Sequence, residues 1–314
     1  MCDGAVADSS PLQGACRVKA PRSVLGHSDC AAKGAFPGVS VRSVDMEPYV
    51  IRGGREGYER LKVLARAHWP GTSDLLHRVG LRPGMRCLDL GCGGGDVTLE
   101  LARLIGPDGH VTGIDMDELQ LGLASESARD RGLANVEFRV ANVNSWNEPE
   151  TYDLVYCRLL LEHLSKPVDL LRRMWLAVRP GGAVVVEDGD FEGLFCHPPN
   201  DGYAFWADTY RHVVRRRGGD PTLGRKLYAY FLEAGIPSPS VQLLQQARTS
   251  GEAKSLSLLT LDTTANAIVA EGIASESDVA TARASLVGAT KDPETVLGGP
   301  RIFQVWSRRE RTRR

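Results

Sequence analysis

From residue 55 onward, apolar positions recur along the chain with a period that changes by segment. Over 55–68, Tyr58, Leu61, Leu64, Ala65 and His68 fall at helical spacing, and a second helix is expected over 70–79, ending near Gly80 and Pro83. Short apolar runs then alternate with amphipathic ones. Strands are predicted over 86–90, 110–115, 136–140, 152–157 and 183–188, and helices over 96–105, 117–131 and 166–178. This alternation predicts an α/β doubly wound fold, a parallel sheet with helices on both faces. After residue 190 the pattern loosens. Helices are expected at 201–217 and 222–234, a strand at 240–247, two further helices at 251–271 and 276–289, and a closing strand at 301–306.

The stretch Leu88-Asp89-Leu90-Gly91-Cys92-Gly93-Gly94-Gly95-Asp96 reads as a buried strand running into a glycine loop and then a helix. Such a unit brings backbone close to a ligand. The next strand, Val111-Thr112-Gly113-Ile114, ends on Asp115. A carboxylate there can accept from both hydroxyls of a ribose. The two features together indicate an adenosine cofactor, either a dinucleotide or S-adenosylmethionine. The dinucleotide fingerprint wants glycine at its first, third and sixth positions. Gly91 and Gly93 fit, but the sixth position is Asp96, which suits a helix N-terminus and repels phosphate.

The pattern Asp89-x-Gly91-x-Gly93-x-Gly95 resembles the first motif of class I S-adenosylmethionine-dependent methyltransferases, and the later motifs follow in order. Gly113-Ile114-Asp115-Met116-Asp117 resembles the second motif and Val136 to Val143 the third strand and its end. Tyr152 to Arg158 resembles the fourth strand, with Leu161-Glu162-His163-Leu164 as the turn after it. Arg179-Pro180-Gly181-Gly182 and Ala183 to Glu187 resemble the loop and fifth strand. The resemblance covers about residues 83–190 and is nearest to the ubiquinone/menaquinone-biosynthesis-like group of small-molecule methyltransferases. It implies a Rossmann-like sheet of seven strands, the last antiparallel, with N-terminal helices and a helical insertion before the final strand. It also implies that the backbone of Gly91, Cys92 and Gly93 meets the methionine part of the cofactor while Asp89 orients loop and amino group. By the same resemblance Asp115 binds the ribose and Met116 lies against the adenine. Asn142 stands where the family often has Asp, and with the Val143 N–H it would meet the adenine edge.

Four segments are expected: a disordered leader over 1–45, cofactor-covering helices over 46–82, the cofactor-binding core over 83–190, and 191–314. The last holds the rest of the core and a substrate-capping insertion at about 250–290. Tyr49 and Arg52 precede the first helix; they either fold over the cofactor, reaching its methionine carboxylate, or form an ordinary turn. With 38 basic and 39 acidic residues, the net charge of −1 points away from a nucleic-acid partner. Arg215-Arg216-Arg217 and Arg308 to Arg314 read as solvated ends. Seven cysteines without a CxxC pair suggest neither zinc nor disulfides, and the expected compartment is the reducing cytoplasm. No apolar run reaches membrane-spanning length. Leu256, Leu258, Leu259 and Leu261 permit a homodimer.

Methyl transfer from a sulfonium is an in-line displacement, so the protein mainly positions the acceptor and excludes water. The favoured general base is His163, with His197 and Tyr203 as alternatives. Asp188 and Asp190 stand where catechol methyltransferases hold magnesium, but Arg158 occupies the partner position and would repel a cation, so no metal is expected. Arg158 instead suits a carboxylate of substrate, cofactor or protein. The resulting expectation is transfer to O or N of a small organic acceptor in specialised metabolism. The rivals are an RNA or protein methyltransferase and a non-catalytic, cofactor-binding partner protein. Against the first, Cys157-Arg158-Leu159-Leu160 stands where a base-methylating motif would be.

Overall fold

In the computed structural model, which describes residues 54–311, the first element is one long helix, α1 (Gly54–Arg78). The expected leader over 1–45, and Tyr49 and Arg52, lie outside the described residues. Two helices broken near Pro70 were expected; the structure carries α1 through the proline. Proline removes one helix hydrogen bond. Here the buried stripe of Ala65, His68, Thr72, Leu75 and Leu76 runs unbroken past it, and Pro70 itself faces outward. Packing of that stripe outweighs the local penalty. Two carbonyls around the proline also take side-chain donors: Ala67 O from Gln246 Nε2 (2.7 Å) and Gly71 O from Gln304 Nε2 (3.1 Å).

The alternation then follows as β1 (Arg86–Leu90), α2 (Asp96–Ile105), β2 (His110–Asp115), α3 (Glu118–Asp130), β3 (Val136–Val140), β4 (Tyr152–Arg158), α4 (Pro167–Ala177) and β5 (Val178–Asp190). The chain continues through β6 (Phe195–His197), α5 (Asp201–Arg216), α6 (Leu227–Glu233), β7 (Ser240–Leu244), β8 (Ala247–Arg248), α7 (Leu256–Ala270), α8 (Glu276–Lys291), β9 (Val296–Gly298) and β10 (Arg301–Arg308). Seven strands make one sheet in the order β3-β2-β1-β4-β5-β10-β7. Pairings among β1 to β5 are parallel, while β10 runs antiparallel to β5 and β7. The α/β class and the antiparallel last strand are as expected. The strand order reverses between β1 and β4, which places a ligand crevice beyond their carboxyl ends.

Alternate residues of the strands feed two cores. Leu88, Leu90, Val155 and Val186 join Leu170 and Met174 of α4 on one face. Cys87, Val111, Leu154 and Val185 join Leu75 and Leu76 of α1 and Leu101 of α2 on the other. A third cluster belongs to α5, α7 and α8, through Trp206, Tyr210, Val213, Leu261, Ile268 and Leu286. Helices α7 and α8 stand between β7 and β10 in the chain.

Several boundaries differ from expectation. The strand expected over 240–247 splits: β7 ends at Leu244, and Ala247–Arg248 joins a second sheet of order β6-β9-β8. The helix expected over 222–234 is a 3-10 turn, Leu223–Lys226, followed by the shorter α6. β5 begins at Val178, and residues 179–182 bulge out between the pairs Tyr152–Val178 and Leu154–Ala183.

Candidate active site

At the end of β1 the glycine loop turns through left-handed backbone, with φ of 67° at Gly91, 51° at Gly93 and 76° at Gly95. Only glycine takes these angles without strain. Space is equally limiting: a Cβ on Gly91 would stand 2.8 Å from Leu160, and one on Gly95 within 2.9 Å of Ala124 and the Phe138 ring. The N–H groups of Gly91 and Cys92 donate to Ile114 O (2.8 and 3.0 Å), tying the loop to the end of β2.

Asp115 completes this corner. Its Oδ2 accepts from Gly93 N at 2.8 Å and its Oδ1 from Asp117 N at 3.0 Å. Each oxygen keeps a second lone pair for a ribose hydroxyl. Burial raises the carboxyl's pKa while these backbone donors pull it back. Asp89 is buried beneath the loop and accepts from Thr98 Oγ1 at 2.6 Å; burial raises its pKa to about 7. Arg158 donates to Thr72 Oγ1 at 3.3 Å, and its charge is felt by both Asp89 and Asp96. Met116 is exposed at the rim. Asn142 Oδ1 already accepts from Asn144 N at 2.9 Å, leaving one lone pair toward a ligand, and Val143 is buried beside it. A glycine cradle, a carboxylate with two unused lone pairs and a rim thioether fit the loop-bound methionine, ribose and adenine of S-adenosylmethionine.

These residues line one end of a continuous cavity of about 600 Å³. The other end is walled by α1, the turn after β4, α5 and α7, with β8 and β9 at its edge. The turn, Leu161–His163, is a 3-10 helix held from below by Asp188. Asp188 Oδ2 accepts from Leu161 N (2.9 Å) and Glu162 N (3.3 Å), and Oδ1 from Gly189 N (2.8 Å). Glu162 Oε1 accepts from Tyr210 Oη at 3.1 Å and lies 3.3 Å from His163 Nε2. Burial raises the Glu162 carboxyl, aided by the Asp188 charge, and burial lowers His163 to about 3. Both groups are thus driven toward their neutral forms.

The candidate catalytic residues separate. His163 lines the cavity. Tyr203 also lines it, but its hydroxyl donates to Gly298 O, fastening α5 to β9. His197 is exposed on β6, paired with Val296, and is not among the lining residues; the short second sheet carries it outward. Asp190, considered with Asp188 as a metal ligand, is instead bound by Arg225 (2.7 Å) and Arg301 (3.1 Å). Arg217 corrects the reading of its cluster as a solvated end. Its Nε donates to Glu271 Oε1 at 2.9 Å, its side chain is 13% exposed, and it lines the cavity. Arg308 and Arg309 likewise donate to the carbonyls of Gly181 (2.9 Å) and Val178 (2.6 Å) rather than standing free in solvent.

Sequence reasoning did not single out Arg60, Ser257 or Trp206, which also line the cavity. For Arg60 a signal existed. Positions 60, 64 and 68 share one helical stripe, and Leu64 and His68 already marked it as inward.

Residues 81–226 match the family described as a methyltransferase domain. A ubiquinone biosynthesis O-methyltransferase from Aeromonas salmonicida is 39% identical over 104 residues, covering 33% of this chain and 42% of that protein. A ubiquinone/menaquinone biosynthesis C-methyltransferase from Vibrio campbellii is 35% identical over 158 residues, covering 49% and 59%. The chain therefore spans about half the length of the curated relatives it matches. A crystal structure of a candidate methyltransferase from Bacillus halodurans shares the fold, with a TM-score of 0.51 at 16% identity over 76% of this chain and 98% of that one.

Proposed function

With residues 81–226 matching a methyltransferase domain, we propose that the chain transfers the methyl group of S-adenosylmethionine to an oxygen or nitrogen of a small organic acceptor, in specialised metabolism. The observation that carries this reading is the continuous cavity. It joins the Asp89, glycine-loop and Asp115 end to the Glu162–His163 turn and the walls of α5 and α7. Its volume of about 600 Å³ suits small molecules, whose pockets run from about 300 to 1,000 Å³. The matched segment ends at residue 226, before α7. Of the acceptor wall, α1 and α7 lie outside the matched segment, while the turn after β4 and α5 lie within it.

S-adenosylmethionine supplies a methyl group already activated by the sulfonium charge. Asp115 accepts from the ribose hydroxyls. The loop backbone, Asp89 and Arg158 hold the amino-acid end, and Met116, Asn142 and Val143 border the adenine. The walls of α1, α5 and α7 exclude water and hold the acceptor at near-attack distance. A free amine attacks through its lone pair and needs no base, whereas a hydroxyl's O–H becomes strongly acidic as the new bond to carbon forms, so even a weak base can take that proton. His163, neutral and oriented through Nε2 by Glu162, receives that proton.

Calorimetric titration with S-adenosylmethionine and S-adenosylhomocysteine, with NAD as control, is the first test. Binding of both sulfur compounds without NAD is expected. Absence of both would leave only a cofactor-independent relic of the fold. Methyl-labelled cofactor offered with phenols and amines then reads the atom methylated, and label found on carbon overturns the O or N assignment.

A further inference from the structure

Among the described residues, the Arg60 guanidinium at the acceptor end of the cavity has no ion-pair partner. Arg60 is 6% exposed. Its Nε donates to Thr260 Oγ1 at 3.0 Å, and its Nη1 is buried with no hydrogen-bond partner among the described residues. Glu162, the acid on which Arg60's charge acts, is driven toward the neutral form by burial and by Asp188. One turn along α7 from Thr260, Ser257 is 5% exposed, and its Oγ is likewise buried without a partner. The Trp206 Nε1 of α5, in the same cavity wall, is a third such atom. Buried donors left unpaired are costly, and a buried guanidinium most of all. A guanidinium fork is matched by a carboxylate, which can also accept from a hydroxyl.

The walls between these donors are aromatic. Phe191 and Tyr210 pair at 4.6 Å between ring centroids, and Tyr203 and Trp206 at 5.1 Å. Such surfaces favour a planar ligand body. The methionine carboxylate has a different cation available. Arg158 lines the same cavity, and its charge reaches both Asp89 and Asp96 at the glycine loop. On α1, Tyr58 and Leu61 cover Gly94 and Gly93, while Arg60 is turned to α7.

We propose that the acceptor is a small planar carboxylic acid, its carboxylate received by Arg60 and Ser257 and its body lying along Phe191, Trp206 and Tyr210. This rests on the methyltransferase reading and names the substrate class of that same site.

The test uses the full chain saturated with S-adenosylhomocysteine. It is titrated calorimetrically with matched acids and amides: benzoate and benzamide, 4-hydroxybenzoate and 4-hydroxybenzamide, cinnamate and cinnamamide. The acids are expected to bind about tenfold or more tighter than their amides. R60Q should abolish that preference and S257A reduce it several-fold, with S-adenosylhomocysteine affinity unchanged in both. Should R60Q fail to fold, R60K keeps the charge without the fork, and a preference cut several-fold is expected. No acid preference in the wild type, or one that R60Q or R60K leaves intact, overturns the proposal. So does a loss of S-adenosylhomocysteine affinity in R60Q, which would assign Arg60 to the cofactor's carboxylate. Failure of the wild type to bind S-adenosylhomocysteine at all would instead sink the methyltransferase reading.

Discussion

The backbone N–H of Gly93 donates to Asp115 Oδ2 at 2.8 Å, so the carboxylate expected to bind ribose also fixes the loop expected to bind methionine. One side chain thereby sets the distance between two parts of a single ligand. Asp115→Ala removes the ribose acceptor and frees the loop together. Loss of a hydrogen bond to a charged group costs about 1.5–3 kcal/mol, so affinity for S-adenosylhomocysteine should fall by about 10- to 100-fold. Calorimetry on the variant checks this, and an unchanged affinity would remove Asp115 from the site.

His163→Gln should act on rate rather than on cofactor binding. The imidazole lines the same cavity as Asp115 without touching it and is held 3.3 Å from Glu162 Oε1. A positioned proton acceptor is worth about 100-fold or more in rate. The expected result is that loss in kcat with S-adenosylhomocysteine affinity preserved. A variant with full turnover would show that solvent takes the proton and that His163 only shapes the wall.

Buried ionisable groups give the pH dependence two opposing parts. Burial lowers His68 and His163 to about 3, so protons favour the unfolded chain between that value and the ordinary histidine value of about 6.5. Their contribution is complete above the unfolded pKa and is lost as pH falls through the window. Asp89 behaves oppositely. Burial raises it to about 7, so its contribution is present below the ordinary aspartate value of about 3.9 and is lost as pH rises toward 7. Urea unfolding of wild type and Asp89→Asn at pH 5 and pH 8 isolates the acid. The wild type should be the weaker of the two at pH 8 by more than at pH 5, with a slope of at most about 1.4 kcal/mol per pH unit. A constant difference would mean that Asp89 titrates normally.

The parallel strands were readable because each is a run of apolar residues long enough to show its period, bounded by glycine or proline. Asp89, Asp115 and the glycines were readable because the turn demands those residue types at fixed spacing. The second sheet was not, because its strands of three, two and three residues hold no measurable alternation. Pro70 misled for a different reason: its local penalty is real, but the stripe from Ala65 to Leu76 outweighs it only when the sheet is in place. Arg60 is the clearest limit. Helical spacing turns it inward, yet its meaning depends on Thr260, 200 residues away, and on Ser257 one turn from that residue. Arg217 depends in the same way on Glu271.

Two glycines of the cofactor half should respond to alanine with opposite sign, which separates backbone requirement from mere composition. Gly95 closes the loop at φ 76°, and a Cβ there would meet Ala124 at 2.8 Å and the Phe138 ring at 2.9 Å. Strain and overpacking together should cost Gly95→Ala about 1–3 kcal/mol and tilt the start of α2 away from the loop. Gly122 lies in α3, where a Cβ would have nothing within 4 Å. There alanine restricts the unfolded chain and suits the helix, so Gly122→Ala should add about 0.5–1 kcal/mol. Urea unfolding of both variants, alone and with S-adenosylhomocysteine, reads the signs. Gly122→Ala should keep the full ligand-induced stabilisation and Gly95→Ala should lose most of it. A Gly95→Ala protein that is as stable and as responsive as wild type would show that the loop tolerates an ordinary residue, and the steric case for the cofactor cradle would fall with it.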